Sequence, residues 1–226
     1  MHKQRLNKLL VKLGLAESRR KADELISQNR VSIDGEICSE LGFMANSDSE
    51  ITVDGKAGKR REEIYIAYNK PKGLVCSHAK QKYPTIFDKL PKSFLSLKIA
   101  GRLDKDSQGL VILSSDGDFI NQISHPSSNK DKVYKVVTKQ QLTTADVDQL
   151  NQGIKLEDGI SKMRAKLTGT NSLRIVMSEG KNRQIRRTLE AIGKDVITLE
   201  RTKVGKYSNP GLEISKHVFI KPEDVL

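Results

Sequence analysis

Leu110-Val-Ile-Leu113 is a short uninterrupted apolar run entered through Gly109, and it constrains the fold more than any other stretch of the chain. A run of this length bounded by a turn signal reads as a buried strand, so the chain must build a sheet with a core around it. The segment that leads into the strand is turn-like and basic, and it places Asp104 after Arg102 and ahead of Lys105 and Asp106. Opposite charges nearby lower a carboxyl pKa by about 1 to 3 units and keep the group ionised, which makes Asp104 a candidate nucleophile at the mouth of the strand. Spacing alone leaves a second reading open, a loop aspartate in a structural salt bridge.

The 226 residues allow two domains, with a core of ordinary size in the larger. Forty Lys plus Arg against 28 Asp plus Glu leave a formal charge of +12, which favours an anionic partner, nucleic acid first. A membrane surface is the rival, but the apolar runs reach only about five residues, far short of a span. The start, Met-His-Lys-Gln-Arg-Leu-Asn, lacks the apolar stretch of a secretory signal, so a cytoplasmic protein is expected. Cys38 and Cys76 have no second cysteine or histidine at ligand spacing, and four scattered histidines form no zinc pattern. Free thiols and no metal are expected.

Leu6, Leu9, Leu10 and Leu13 recur at helical spacing up to Gly14, and Ser18 is placed to cap a second helix that buries Ala22, Leu25 and Ile26. Arg19, Arg20 and Lys21 stand at the start of that helix, where the macrodipole disfavours cations. Phosphate binding explains them better than helix stability does; a solvated face is the alternative. Up to Arg30 there are eight basic residues, Arg5 among them, against three acidic ones. Val31-Ser-Ile-Asp-Gly35 and Ile51-Thr-Val-Asp-Gly55 each read as an alternating strand closed by an Asp-Gly turn. Lys56-Ala-Gly-Lys-Arg-Arg61 has glycine, charge and nothing to bury, which reads as a flexible linker. The division is therefore 1–55, a linker 56–61, and 62–226. Ile64–Tyr68 opens the second domain as a strand. Further strands are expected at Leu110–Leu113, Val133–Val137, Leu173–Met177 and Val196–Leu199, and helices at Phe119–Ile123, Thr144–Leu150 and Arg183–Ile192, the last stopped by Gly193. Strands and helices without a regular crossover repeat predict an α+β fold: a small domain of two helices plus strands, then a larger one with a mostly antiparallel mixed sheet flanked by helices.

Four segments in order carry a family resemblance. Gly101-Arg-Leu-Asp-Lys-Asp-Ser-Gln-Gly-Leu110 resembles the catalytic motif of the pseudouridine synthases that modify ribosomal RNA, Lys132-Val-Tyr-Lys135 resembles their tyrosine motif, and Glu179-Gly-Lys-Asn-Arg-Gln-Ile-Arg-Arg187 their basic motif. Lys70-Pro-Lys-Gly73 resembles the turn that opens their catalytic domain. Residues 3 to 55 resemble the alpha-L RNA-binding domain of a small-subunit ribosomal protein and some tRNA synthetases, with Asn29 where many members have Gly and Asp34 in place of a common Asn.

The resemblance implies an isomerisation of uridine to pseudouridine that needs no cofactor and no metal. It implies Asp104 as the carboxylate that attacks or takes a ribose proton, Tyr134 as the aromatic face and hydroxyl beside the base, and Arg186 as the bidentate partner of Asp104. Arg102 would fill the stack vacated by the flipped nucleotide, Arg183, Arg187 and Lys70 would contact RNA beside Arg5, Arg19, Arg20 and Lys21, and Leu199 in Leu199-Glu-Arg201 would pack under the uracil. Ser107 in Ser-Gln-Gly-Leu resembles the branch acting on large-subunit rRNA, with small-subunit rRNA as the alternative. The partner implied is ribosomal RNA, with no membrane, and a monomer is expected. Two other classes stay open: a ribosome-associated RNA-binding protein without chemistry, and a DNA-binding regulator built on the N-terminal helix pair.

Overall fold

The computed structural model describes residues 3–60, 62–79, 82–208 and 211–226, so Arg61 of the expected linker lies outside the described residues. The chain forms two compact units, Met1–Glu62 and Glu63–Leu226. In the first, β1 (Lys3–Arg5), α1 (Leu6–Lys12) and α2 (Arg19–Ser27) precede β2 (Val31–Ile33), β3 (Glu36–Ile37), β4 (Met44–Asn46), β5 (Ile51–Val53) and β6 (Lys56–Ala57). The Ser18 hydroxyl accepts from the Lys21 amide and caps α2, whose Ala22 and Ile26 close on Leu6, Leu9 and Leu10 of α1. Asn29 takes the left-handed conformation at φ 58°, and Asp34 and Gly35 are both at positive φ in the turn that joins β2 to β3. The linker expectation is corrected in its first half. The Asp54-Gly55 turn folds Lys56 and Ala57 back onto β5 as β6, and Gly58 lies so close to Leu13 and Leu15 that a Cβ would fall within 2.7 Å of them.

The second unit runs β7 (Tyr65–Lys70), β8 (Lys98–Ala100), β9 (Gln108–Ser114), α3 (Gly117–Ser124), β10 (Lys132–Thr138), α4 (Thr144–Gln152), β11 (Ile154–Leu156), β12 (Gly159–Ser161), β13 (Arg164–Gly169), β14 (Ser172–Met177), α5 (Gln184–Glu190), β15 (Val196–Val204), β16 (Tyr207–Ser208), β17 (His217–Phe219) and α6 (Pro222–Val225). One sheet of nine strands in the order β13-β14-β10-β15-β9-β7-β17, with β16 beside β15 and β8 beside β9, forms its frame. The sheet is antiparallel apart from the β15–β9 pair, the mixed α+β arrangement expected.

β9 is the strand announced by the apolar run. Its Val111 and Leu113 enter one core, with Leu150 of α4 and Leu189 of α5, while Leu110 and Ile112 enter another, with Phe119 of α3 and Val225 of α6. Alternation sends successive side chains to opposite faces, and a strand with a covered face on either side is apolar throughout. At about 1.5 to 3 kcal/mol for each fully buried aliphatic, these four residues anchor the sheet where the functional loop enters it. Among the described residues no helix is long and apolar enough to cross a membrane.

Candidate active site

Residues 101–107 form the loop between β8 and β9. The Ser107 amide donates to the Asp104 carbonyl at 3.1 Å, and the Gly73 amide, from the Lys70–Gly73 turn, donates to the Lys105 carbonyl at 2.7 Å. Beneath the loop lie two buried cations. Lys70, at the end of β7, is 0% exposed, and its Nζ donates to the carbonyls of Ser107 at 2.6 Å and of Asp104 and Pro71 at 3.0 Å. Arg201 of β15 is 1% exposed; its Nε donates to the Leu110 carbonyl and an Nη to the Gly101 carbonyl, both at 2.8 Å. The guanidinium thus ties the start of the loop to β9, and the ammonium holds the loop from Asp104 to Ser107. Burial pushes the Lys70 ammonium down to about 8. Gly109, at φ +107°, sits where a Cβ would meet the Arg201 carbonyl oxygen at 2.3 Å, so only glycine lets β9 approach β15 this closely.

Above the backbone, carboxylates and guanidiniums meet. Arg183 donates to both Asp106 oxygens, at 3.0 and 3.1 Å, and its Nη1 also stands 3.9 Å from Asp104 Oδ2. The Arg186 Nε lies 3.3 Å from Asp106 Oδ2, outside hydrogen-bond geometry, and its Nη2 donates to the Asp106 carbonyl at 3.0 Å. Burial works to raise the Asp106 pKa, but the Arg183 hydrogen bonds and the charges of Arg186 and Arg183 outweigh it and hold the carboxyl below its ordinary value. The Asp104 side chain stays 34% exposed, open to a reactant.

Tyr134, 7% exposed in β10, and Leu199, in β15, belong to the same apolar cluster as Leu103, which immediately precedes Asp104, and Ile185 of α5. Tyr134 is opposite Arg201 in β15, and Arg201 is opposite Gly109 in β9. Two strand spacings, roughly 10 Å, therefore separate the tyrosine from Gly109, the second residue of β9 after the Asp104 loop. A carboxylate approached by one guanidinium, a neighbouring carboxylate that holds two, an aromatic ring and an apolar floor can hold a planar base and act on its sugar.

The RNA pseudouridylate synthase family matches residues 64–191, more than half of the chain. The chain belongs to that family. An S4 domain is matched at residues 4–56. Ribosomal large subunit pseudouridine synthase B of Bacillus subtilis (strain 168) is 33% identical over 233 residues, which cover 98% of this chain and 94% of that protein. The protein of the same name from Escherichia coli (strain K12) is 34% identical over 221 residues, covering 92% of this chain and 75% of the other. A solved structure titled "Crystal structure of pseudouridylate synthase" superposes with a TM-score of 0.70 at 28% identity, covering 98% of this chain and 97% of its own.

Within this synthase several sequence expectations need correction. Lys70, expected at RNA, is wholly buried, because four loop carbonyls in reach give its ammonium a better partner than solvent. Arg186, expected to grip Asp104, has its carboxylate contact with Asp106; Asp104 is approached by Arg183 instead. Arg183 is not a helical residue: it is the N-cap of α5, in left-handed conformation at φ 46°, so it does not share a helix face with Arg187. Arg187, expected at RNA, donates to both oxygens of Asp158, at 3.1 and 2.8 Å. In the S4 domain Lys21 pairs with Glu24, and Arg19 Nε donates to Asn7, leaving Arg5 and Arg20 exposed beside them. Arg102 is exposed. Arg201 and Asp106 were not singled out for any role. The signal for Arg201 was present: it is two residues beyond Leu199 on one strand, so a Leu199 facing the core puts Arg201 on the same face.

Proposed function

We propose that the chain converts a uridine of large-subunit ribosomal RNA to pseudouridine, with Asp104 as the acting carboxylate. The reading rests on one observation above all: the loop whose sequence resembles the family's catalytic motif presents the partly open Asp104 carboxylate within 3.9 Å of the Arg183 guanidinium, with Arg186 held on the neighbouring Asp106 and an apolar cluster containing Leu103, Tyr134 and Leu199. The relatives named for the large ribosomal subunit support the choice of RNA.

The bond between ribose C1′ and uracil N1 breaks, the base turns, and C1′ joins C5; the proton lost from C5 balances the one gained at N1, so no atom or electron enters or leaves. Asp104 serves either by covalent attack or by taking a ribose proton. Tyr134 supplies a stacking face worth about 1 to 3 kcal/mol and a hydroxyl for the C5 proton. Arg183 and Arg186 hold the loop's carboxylates in place, Leu199 floors the base, and Arg102 enters the gap left by the flipped nucleotide, whose extrusion costs a few kcal/mol. The S4 domain, through Arg5 and Arg20, holds the surrounding RNA by phosphate contacts.

Mapping pseudouridine at single-nucleotide resolution in large- and small-subunit rRNA incubated with the protein tests this. One new large-subunit site with the native protein and none with Asp104→Asn, at RNA affinity within a few-fold, is expected. Product from the asparagine variant would overturn the role of Asp104, and a site only in small-subunit rRNA would overturn the substrate.

A further inference from the structure

The sheet carries a second concentration of charge on the face away from Tyr134 and Leu199. Lys166 of β13 is directly opposite Arg174 of β14, and Arg174 is directly opposite Lys135 of β10, so three cations stand side by side across three neighbouring strands. All three are exposed. None forms an ion pair or side-chain hydrogen bond among the described residues. The next residue along the row, Glu200 of β15 opposite Lys135, is its one carboxylate. In the adjacent row Arg164 and Lys203 stand at the two ends, with Val176 and Val133 between them.

Directly opposed residues on antiparallel strands have their Cβ atoms about 4.5 to 5.5 Å apart, and like charges there are destabilising. Protection of a sheet edge would account for Lys166, since β13 is terminal, but β14 and β10 are interior strands with no edge to guard. Nor does the packing of the fold need these side chains: α3 and α6 cover this face only over β7, β8, β9 and the end of β15, and no residue of β13, β14 or β10 joins that core. An exposed row of directly opposed cations suits a polyanion whose charges follow one another every few ångströms.

We propose that this row is a second RNA-binding surface, which takes the phosphodiester backbone of the substrate RNA on the side of the sheet opposite the Asp104 loop. The assignment rests on the reading of the chain as an rRNA synthase, whose substrate extends far beyond the nucleotide that reacts. RNA is preferred to an acidic protein because charge alone, with no apolar anchor in the row, suffices for backbone binding and seldom for a protein interface. Three cations across three strands span roughly 10 Å, enough for two or three phosphates.

The test compares the full chain with the triple variant Lys135→Gln, Arg174→Gln, Lys166→Gln, and with a control that removes the same charge elsewhere, Lys89→Gln, Lys92→Gln, Lys216→Gln. The Kd for a large-subunit rRNA transcript is measured across a KCl series, with thermal melting to confirm that each variant is folded. The surface triple is expected to bind at least tenfold more weakly at physiological salt and to lower the slope of log Kd against log[KCl] by about two, with less than a twofold change in Kd for the control. Equal changes in both triples would assign the effect to net charge and overturn the proposal. So would unchanged binding by the surface triple, the result expected if an acidic protein were the partner. Pseudouridine formed by the native protein in the same transcript is scored separately: its absence would count against the Asp104 reading, while the salt slopes alone decide the surface.

Discussion

Lys70 and Asp106 are the residues at which position and charge are most tightly coupled. A lysine whose pKa falls from its ordinary value to about 8 on folding binds fewer protons folded than unfolded between pH 8 and roughly 10.4. Its contribution therefore destabilises the fold below pH 8 and is relieved as pH rises, by at most about 1.4 kcal/mol per unit. Chemical denaturation of the native protein and Lys70→Met between pH 7 and 10 should show the native protein gaining stability relative to the variant across that window; parallel curves would refute the assignment. The same deprotonation removes charge from beneath the Asp104 loop, so kcat should fall through pH 8. Asp106→Ala leaves Arg186 buried and without its carboxylate contact. Because Asp106 is itself part-exposed, which screens the contact, a loss of about 1 to 2 kcal/mol is expected, together with a larger loss in kcat than in RNA affinity. Composition made Asp104 conspicuous as an acid in a basic segment, but nothing in one dimension distinguishes which of two aspartates a guanidinium will choose.

At the scale of elements, β9 decides where the loop stands. Gly109→Ala would drive a methyl group into the Arg201 backbone at a positive φ that alanine resists, and should cost more than about 3 kcal/mol, read as a fall in melting temperature with loss of activity. In the S4 domain Arg19 and Arg20 should separate. Arg20→Gln is expected to weaken RNA binding and lower its salt slope by about one without changing stability, whereas Arg19→Gln also loosens the Arg19–Asn7–Asp23 network and lowers the melting temperature. The two helices, the Ser18 cap and the Asp-Gly turns were legible because each is fixed by contacts between residues close in sequence, and the apolar strands because an apolar run or alternation is written in consecutive positions even though their partners are distant. β6 was missed because its reason is a pairing partner, not its own composition. Arg183 was misread as helical because nothing in a helix-compatible run of side chains announces a left-handed residue ahead of the first turn.

For the molecule as a whole, the excess of positive charge forecast an RNA partner but not where that charge would gather. At the sheet it becomes a row only because β13, β14 and β10 lie side by side in one register. The sequence by itself determined the α+β class and the strand at Leu110 and singled out Asp104 as the candidate carboxylate, since periodicity, turn residues and a motif are properties of consecutive positions. Only the tertiary structure decided that Lys70 and Arg201 are buried beneath the loop, that Asp106 takes the guanidiniums, and that Lys135 stands beside the Arg174 and Lys166 pair. Burial, ion pairing and register depend on residues brought together from 30 to 100 positions apart, and their energies exist only once the chain has closed.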